Sequence, residues 1–322
     1  MMGNRLDYVD IAKGIGIVLV VCSHTDALEL MWLFMGMFVP VFYFCSGYTF
    51  SQKGSLKELM VKRFRKLMAA YVFFNVLMFA AFMHFSWREI GGMLYSRYCL
   101  YPLDVSPNVK FLTSGNYPMW FLTSMIVTYL LFYLLVYYER FRLPLIAGYA
   151  ALTLAFTFCP VLLPWSIDTA FLTALFMYAG MLARRHEVMK TSWWQVALVA
   201  FVYVGGHLVA GDINLSVRMY GTSVVLYFVL GVTGSCLALW VSRCLEHTLV
   251  GNFFKSMGQH SLTIFCVQIF FIVVAKDAWA FLLPDVPLDY WAGVLEVIFA
   301  LLGGWAVSVV LHKSQYLRRV IF

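Results

Sequence analysis

Charge in this chain is almost confined to the gaps between long apolar runs, and that pattern restricts the fold more than any motif. A run of about 20 apolar residues matches the thickness of a bilayer's hydrocarbon core when it is helical. Ten such runs are found, at 9–28, 31–50, 66–84, 118–138, 143–162, 168–184, 193–210, 219–242, 261–281 and 290–312. Only 12% of the residues are charged, against about 25% in water-soluble domains, and mean hydropathy is +0.82. The expectation is an all-α polytopic membrane protein of about ten transmembrane helices. It forms one integral-membrane domain over 1–322, with no appended soluble domain and no separable secretory signal.

The distribution of cations tests the count. With the amino terminus in the cytoplasm, the inner segments hold Arg5 and Lys13, the stretch from Lys53 to Lys66, Arg140 and Arg142, Arg184, Arg185 and Lys190, Arg243 and Lys255, and Lys313, Arg318 and Arg319. The outer segments hold Arg88, Arg97, Lys110, Arg218 and Lys276, so 18 of 23 cations fall inside. Cytoplasmic loops carry the excess of Lys and Arg in membrane proteins, so both termini are expected in the cytoplasm. The net charge of +7 follows from this placement and does not point to nucleic acid. The seven cysteines show no metal-ligand spacing and read as small packing residues; no metal site is expected.

The first run carries Asp10, Lys13 and, eleven residues after Lys13, His24. Eleven helical steps return to nearly the same face, ~16 Å further along the axis. Lys13 alone reads as a residue snorkelling to the cytoplasmic surface, and His24 alone as a helix-end residue near the outer one. Together, with Asp10 placed to pair with Lys13 at i,i+3, they read as a catalytic group. Ionisable residues at membrane depth are functional candidates, and histidine suits the removal of a hydroxyl proton near neutral pH. Gly14 and Gly16 leave room for a helix or a ligand to approach.

Lys62-Arg63-Phe64-Arg65-Lys66, extended by Lys53 and Lys57, is expected directly before the third helix. It reads as a topology signal, as a phosphate site for a nucleotide cofactor, or as a contact for anionic lipid. Pro40 should kink the second helix. Ser46 and Gly47, near its cytoplasmic end, permit close approach of a ligand or simply pack. Pro118 suits a first helical turn. Trp120 reads as an interfacial anchor or as a platform for a sugar ring. Asp168 reads as a helix cap or as a contact for a hydroxylated acceptor. Gln268 needs a partner inside its helix, and Glu296 is costly at its depth unless it faces a polar interior. The break at 85–117, with Pro102, Pro107 and Gly115, is a loop or a short lid.

Asp7-Tyr8-Val9-Asp10-Ile11-Ala12-Lys13-Gly14-Ile15-Gly16 with His24 resembles the opening of the membrane acyltransferase type 3 family, which has an Arg or Lys, ten residues, then a His. The likeness continues through Phe44-Cys45-Ser46-Gly47-Tyr48, Lys62–Lys66, Trp120-Phe121-Leu122, Pro164 to Ala170 and Gly258 to Gln268. It implies a ten-helix enzyme of the bacterial inner membrane. Such an enzyme takes an acyl group, usually acetyl, from cytoplasmic acetyl-CoA or another acyl-CoA. It places that group on a sugar of the cell envelope or its lipid-linked precursor, at the outer face. The resemblance makes His24 the catalytic residue and assigns Arg63, Arg65 and their neighbours to the acyl-CoA. The family's Arg-x-x-Arg is replaced here by Lys62-x-x-Arg65 or Arg63-x-x-Lys66, and a family histidine in the ninth helix by Gln268. The expected set is therefore His24, Lys13 and Asp10 for catalysis, Lys62, Arg63, Arg65, Lys66 and Ser46 for the donor, and Trp120, Asp168 and Gln268 for the acceptor.

Two other classes fit a chain of this kind. A secondary transporter would carry internal repeats with paired broken helices, and no convincing repeat is seen. A non-catalytic membrane subunit would tolerate replacement of His24. The acceptor and the oligomeric state are not legible in the residues.

Overall fold

The computed structural model describes residues 6–25, 27, 29–52, 54–82, 86–102, 109–110, 117–283, 290–315 and 317. Arg5, Lys53, Pro107, Gly115, Asn116, Arg318 and Arg319 lie outside the described residues. Twelve α-helices are described: α1 Asp7–Cys22, α2 Pro40–Tyr48, α3 Leu56–Phe82, α4 Trp87–Tyr95, α5 Trp120–Tyr137, α6 Arg142–Thr157, α7 Ile167–Arg185, α8 Trp193–Ala210, α9 Val224–Cys244, α10 Leu249–Gln259, α11 Ser261–Leu282 and α12 Tyr290–Lys313. A two-stranded antiparallel hairpin, β1 Ile213–Asn214 and β2 Met219–Tyr220, joins α8 to α9.

Among the described residues, seven helical segments are long and apolar enough to cross a membrane: α3, α5, α7 with the turn before it, α8, α9, α11 and α12. Their outer faces carry large exposed apolar side chains, such as Phe201 and Leu208 on α8 and Trp291 and Leu302 on α12. The expected ten spans are thus not all matched by long helices. α1 and α6 have 16 residues each, a rise of ~24 Å. The expected span 31–50 is replaced by a 3₁₀ turn at Glu29–Leu33, further turns, and the nine-residue α2. Pro40 occupies the first turn of α2 and begins the helix rather than kinking it; it has no N–H to donate to the turns before it.

α3 begins ten residues earlier than expected. Ser55 and Glu58 close a capping box: the Ser55 N–H donates to Glu58 Oε2 at 3.0 Å, and the Glu58 N–H donates to Ser55 Oγ at 3.3 Å. The basic stretch that follows lacks Gly and Pro and is rich in helix formers, so Lys57 to Lys66 lie within α3, not before it.

α1 is the central helix. Its Tyr8, Val9, Ala12 and Leu19 belong to a core shared with α2, α5, α7 and α9. Its Ile17, Val20 and Val21 belong to a second core with α3, α11 and α12. Two crossings bring backbones into direct contact. A Cβ on Gly14 would lie 1.8 Å from the Phe254 carbonyl oxygen, and one on Gly258 would lie 1.8 Å from the Asp10 carbonyl oxygen, so α1 and α10 interlock reciprocally. Gly47 and Gly180 do the same for α2 and α7, against Met177 and Phe44. Lipid gives helices no hydrophobic drive to associate, so close packing over small residues takes that role.

Gly148, by contrast, faces open space on α6. Gly258→Ala is expected to lower the thermal midpoint of the detergent-purified protein, by a destabilisation of about 1–3 kcal/mol from overpacking. Gly148→Ala is expected to leave the midpoint unchanged or raise it. Differential scanning fluorimetry of the two variants makes the comparison.

Candidate active site

The helix of α1 ends at Cys22, and His24 lies in the turn beyond it. The chain keeps a helical sense there: the His24 N–H donates to the Val21 carbonyl at 3.1 Å. The ring is fixed as well. Nδ1 lies 2.6 Å from the Val20 carbonyl oxygen; a carbonyl only accepts, so Nδ1 carries the proton. In the neutral ring the lone pair is then on Nε2, the atom that can take a proton. Ser23 Oγ donates to the same carbonyl at 2.7 Å.

His24 lines a cavity of about 480 Å3, within the roughly 300–1,000 Å3 of small-molecule sites. Trp120 and Phe121 from the start of α5 line it too, with Phe38, Tyr227 and Phe265. Phe121 packs 5.1 Å from Phe265, centre to centre. Ser23, Thr25, Asn214 and Ser216 supply polar groups, and Lys276 from α11 supplies a second ionisable group. Lys276 Nζ is 3.7 Å from the buried Glu296 carboxylate of α12. Two of the residues expected from sequence, His24 and Trp120, are therefore brought together. Lys276, Tyr227 and the hairpin residues were not foreseen.

His207 shares one feature of this geometry: its Nδ1 donates to a carbonyl four residues back, Tyr203 at 2.9 Å. Its Nε2 accepts the Gly36 N–H at 3.3 Å. That imidazole joins α8 to the turns before α2 and serves structure.

Asp168 is placed differently from the acceptor contact expected of it. It is fully buried at the start of α7 between two arginines: Oδ1 accepts from Arg97 Nη2, and Oδ2 accepts from Arg218 Nη1 at 2.9 Å. The guanidiniums also cap backbone. Arg97 donates to the Leu163 carbonyl at 3.1 Å and to Ser216, and Arg218 to the Val161 carbonyl at 3.0 Å and to Cys159. Both carboxylate oxygens are engaged, so Asp168 pins the hairpin, whose residues Ile213 to Ser216 form a wall of the chamber. Two arginines on the side where the cation rule disfavours them were the available signal.

Lys13 and Asp10 do not line the chamber; both lie on α1, more than two turns before its end. Gln268 is fully buried on α11 between Phe265 and Lys276 in the sequence, and neither amide atom has a hydrogen-bond partner among the described residues. Ser46 Oγ donates to the Phe42 carbonyl of its own helix at 2.7 Å. In the basic cluster, Lys62, Arg63 and Arg65 are exposed and Lys66 is half-buried. Arg63 stands 4.9 Å over the Tyr129 ring, and with Arg65 it lines an apolar groove of about 810 Å3 between α3 and α5.

A further cluster gathers at the cation-rich end. The Tyr8 and Tyr48 hydroxyls are 3.0 Å apart, Arg184 Nη1 donates to Tyr8 at 3.0 Å, and Arg184 and Arg243 stand over the Tyr48 and Tyr8 rings at 5.4 and 5.5 Å.

The profile of one protein family, described as an acyltransferase domain, matches residues 6–313, nearly the whole chain. No curated protein and no solved structure matches.

Removing one partner of a buried charge cluster leaves the others uncompensated, at a cost of about 3–5 kcal/mol. Asp168→Ala is therefore expected to lower the thermal midpoint sharply. Glu187→Gln, which releases only the exposed pair with Lys190, is worth about 0–1 kcal/mol and should leave it in place.

Proposed function

The chain belongs to the acyltransferase domain family, and from that premise we propose that it transfers an acyl group, acetyl by family resemblance, from cytoplasmic acyl-CoA to a glycan hydroxyl. The acceptor is an envelope or extracellular glycan or its lipid-linked precursor, and the membrane is the bacterial inner membrane. The observation that carries this reading is the fixed ring of His24, with its basic nitrogen defined by the Nδ1 bond to Val20, in a chamber walled by aromatic faces and hydroxyls. Aromatic faces suit the C–H face of a sugar ring, and Asn214, Ser216 and Thr25 suit its hydroxyls.

Acyl-CoA, the donor substrate, supplies an activated carbonyl. His24 Nε2 takes the proton of the acceptor hydroxyl as that oxygen bonds to the acyl carbon. The carbon–sulfur bond breaks, and the proton passes from His24 to the departing thiolate. Lys276, beside Glu296, lines the same chamber and supplies N–H donors for the developing negative oxygen. The donor's phosphates are assigned to the cation-rich end, where Lys62, Arg63, Arg65 and Lys66 are joined by Arg184 and Arg243, and where tyrosine rings offer a surface for a base. Lys13, Asp10 and Ser46 belong to that donor side, and Gln268 to the acceptor side. A route through an acyl-histidine differs in one respect: acyl-enzyme would accumulate when acceptor is withheld.

His24→Ala is expected to abolish acylation while the variant still binds acyl-CoA. Mass spectrometry of base-labile acyl groups on envelope glycans, in a deletion strain carrying wild type or the variant at matched abundance, reads this directly. Unchanged acylation would remove His24 from catalysis. A glycan indifferent even to the deletion would return weight to a transporter. Arg184→Ala is expected to raise KM for acyl-CoA several-fold with little change in kcat, measured by thiol release.

A further inference from the structure

The hairpin that walls the His24 chamber with Ile213 to Ser216 also walls a second cavity, of about 610 Å3, with Asp212 and with Arg218 to Gly221. The two cavities meet across a pair of rings. Tyr220 lines the second and Tyr227 the first, and they stack with centres 5.6 Å apart and planes 28° apart.

The wall of the second cavity has a definite chemistry. Thr157 Oγ1 donates to the Leu154 carbonyl at 2.6 Å and Thr222 Oγ1 to the Val209 carbonyl at 2.5 Å. Their protons are committed to backbone, so towards the cavity these oxygens offer lone pairs. The Asp212 side chain is exposed and accepts only. Arg218 is in the wall, but its guanidinium is 2% exposed and occupied by Asp168 and two carbonyls. The exposed formal charge in the wall is therefore the Asp212 carboxylate, and Ser223 at the start of α9, whose Oγ accepts the Val225 N–H, adds a further hydroxyl. Flat apolar surface comes from Tyr220 and from Phe158, which is 87% exposed. Acceptor oxygens beside aromatic faces match a ligand rich in O–H or N–H donors with an apolar ring face, and disfavour an anion.

We propose that this cavity is a second sugar subsite, holding a neutral or amino-sugar residue of an oligosaccharide whose esterified hydroxyl lies one or more units away beside His24. The proposal rests on the reading of the chamber as the acceptor site. It specifies an oligosaccharide acceptor rather than a monosaccharide, with the Asp212 carboxylate disfavouring an acidic residue beside it.

The test uses detergent-purified full-length protein on an array of neutral, amino and acidic oligosaccharides with their monosaccharides. Wild type should retain neutral or amino oligosaccharides over the monosaccharides. Phe158→Ala and Asp212→Asn, both at exposed positions, should reduce that retention about tenfold, a change equal to roughly 1.4 kcal/mol. The subsite is overturned by retention unchanged in both variants, by preference for acidic glycans, or by no retention of any oligosaccharide. The retained glycans are then incubated with acetyl-CoA. Retention without ester formation by wild type removes the acyl-transfer reading and leaves the subsite. Ester formation with equal efficiency on monosaccharide and oligosaccharide, in wild type and variants alike, overturns the subsite alone.

Discussion

One carboxylate shared by two guanidiniums, shielded from water, organises the end of the molecule where His24 lies. Each of the three charges would be intolerable there by itself. Asp168 answers Arg97 and Arg218, and the carbonyls of Cys159, Val161, Leu163 and Ser216 accept from other donors of the two guanidiniums. The consequence is mechanical. The segment after α4, the connection from α6 to α7, and the hairpin between α8 and α9 are tied to one point. Two-residue strands have too few ladder bonds to hold a wall in place, so the ionic knot supplies what the sheet cannot.

Deeper in the bundle, the constraint changes from charge to shape. α1 touches both hydrophobic cores, and its glycine face lets α10 approach until backbone meets backbone. Gly14, which leaves space for either a helix or a ligand, is used for a helix, and the same holds for Gly47 against α7. His24 is thus presented from the end of the helix that reaches both cores. Its ring is held by the Val20 carbonyl of that helix, which also accepts from Ser23 Oγ. The bond to that carbonyl places the ring proton on Nδ1.

Legibility in the sequence followed the range of the interactions. Helices α8, α11 and α12 coincide with their apolar runs within a residue or so, because length and hydropathy are local. His24 and Trp120 were singled out through their motifs, and both line one chamber. The start of α3 was missed because a hydropathy reading sees the apolar part of a helix and not its capped, basic first turns. The second run was misread because periodicity gave no warning that Pro40 would start a helix and leave Glu29 to Val39 in turns. The role of Asp168 was hidden because its partners are 71 and 50 residues away in the chain, and no local pattern pairs them. Lys276 looked like a topology marker for the same reason: only packing reveals that it lines the chamber that His24 lines.

The hairpin therefore behaves as a graft site with fixed sutures. Exchanging residues 213–217 between enzymes of this architecture rewrites one chamber wall without disturbing a membrane-crossing helix. The exchange carries over intact only when Arg218 travels with it and meets an Asp and an Arg already waiting in the recipient. The transplantable unit is the hairpin together with its counter-ions on two distant segments, and a loop swap defined by sequence alignment alone would cut through the middle of it.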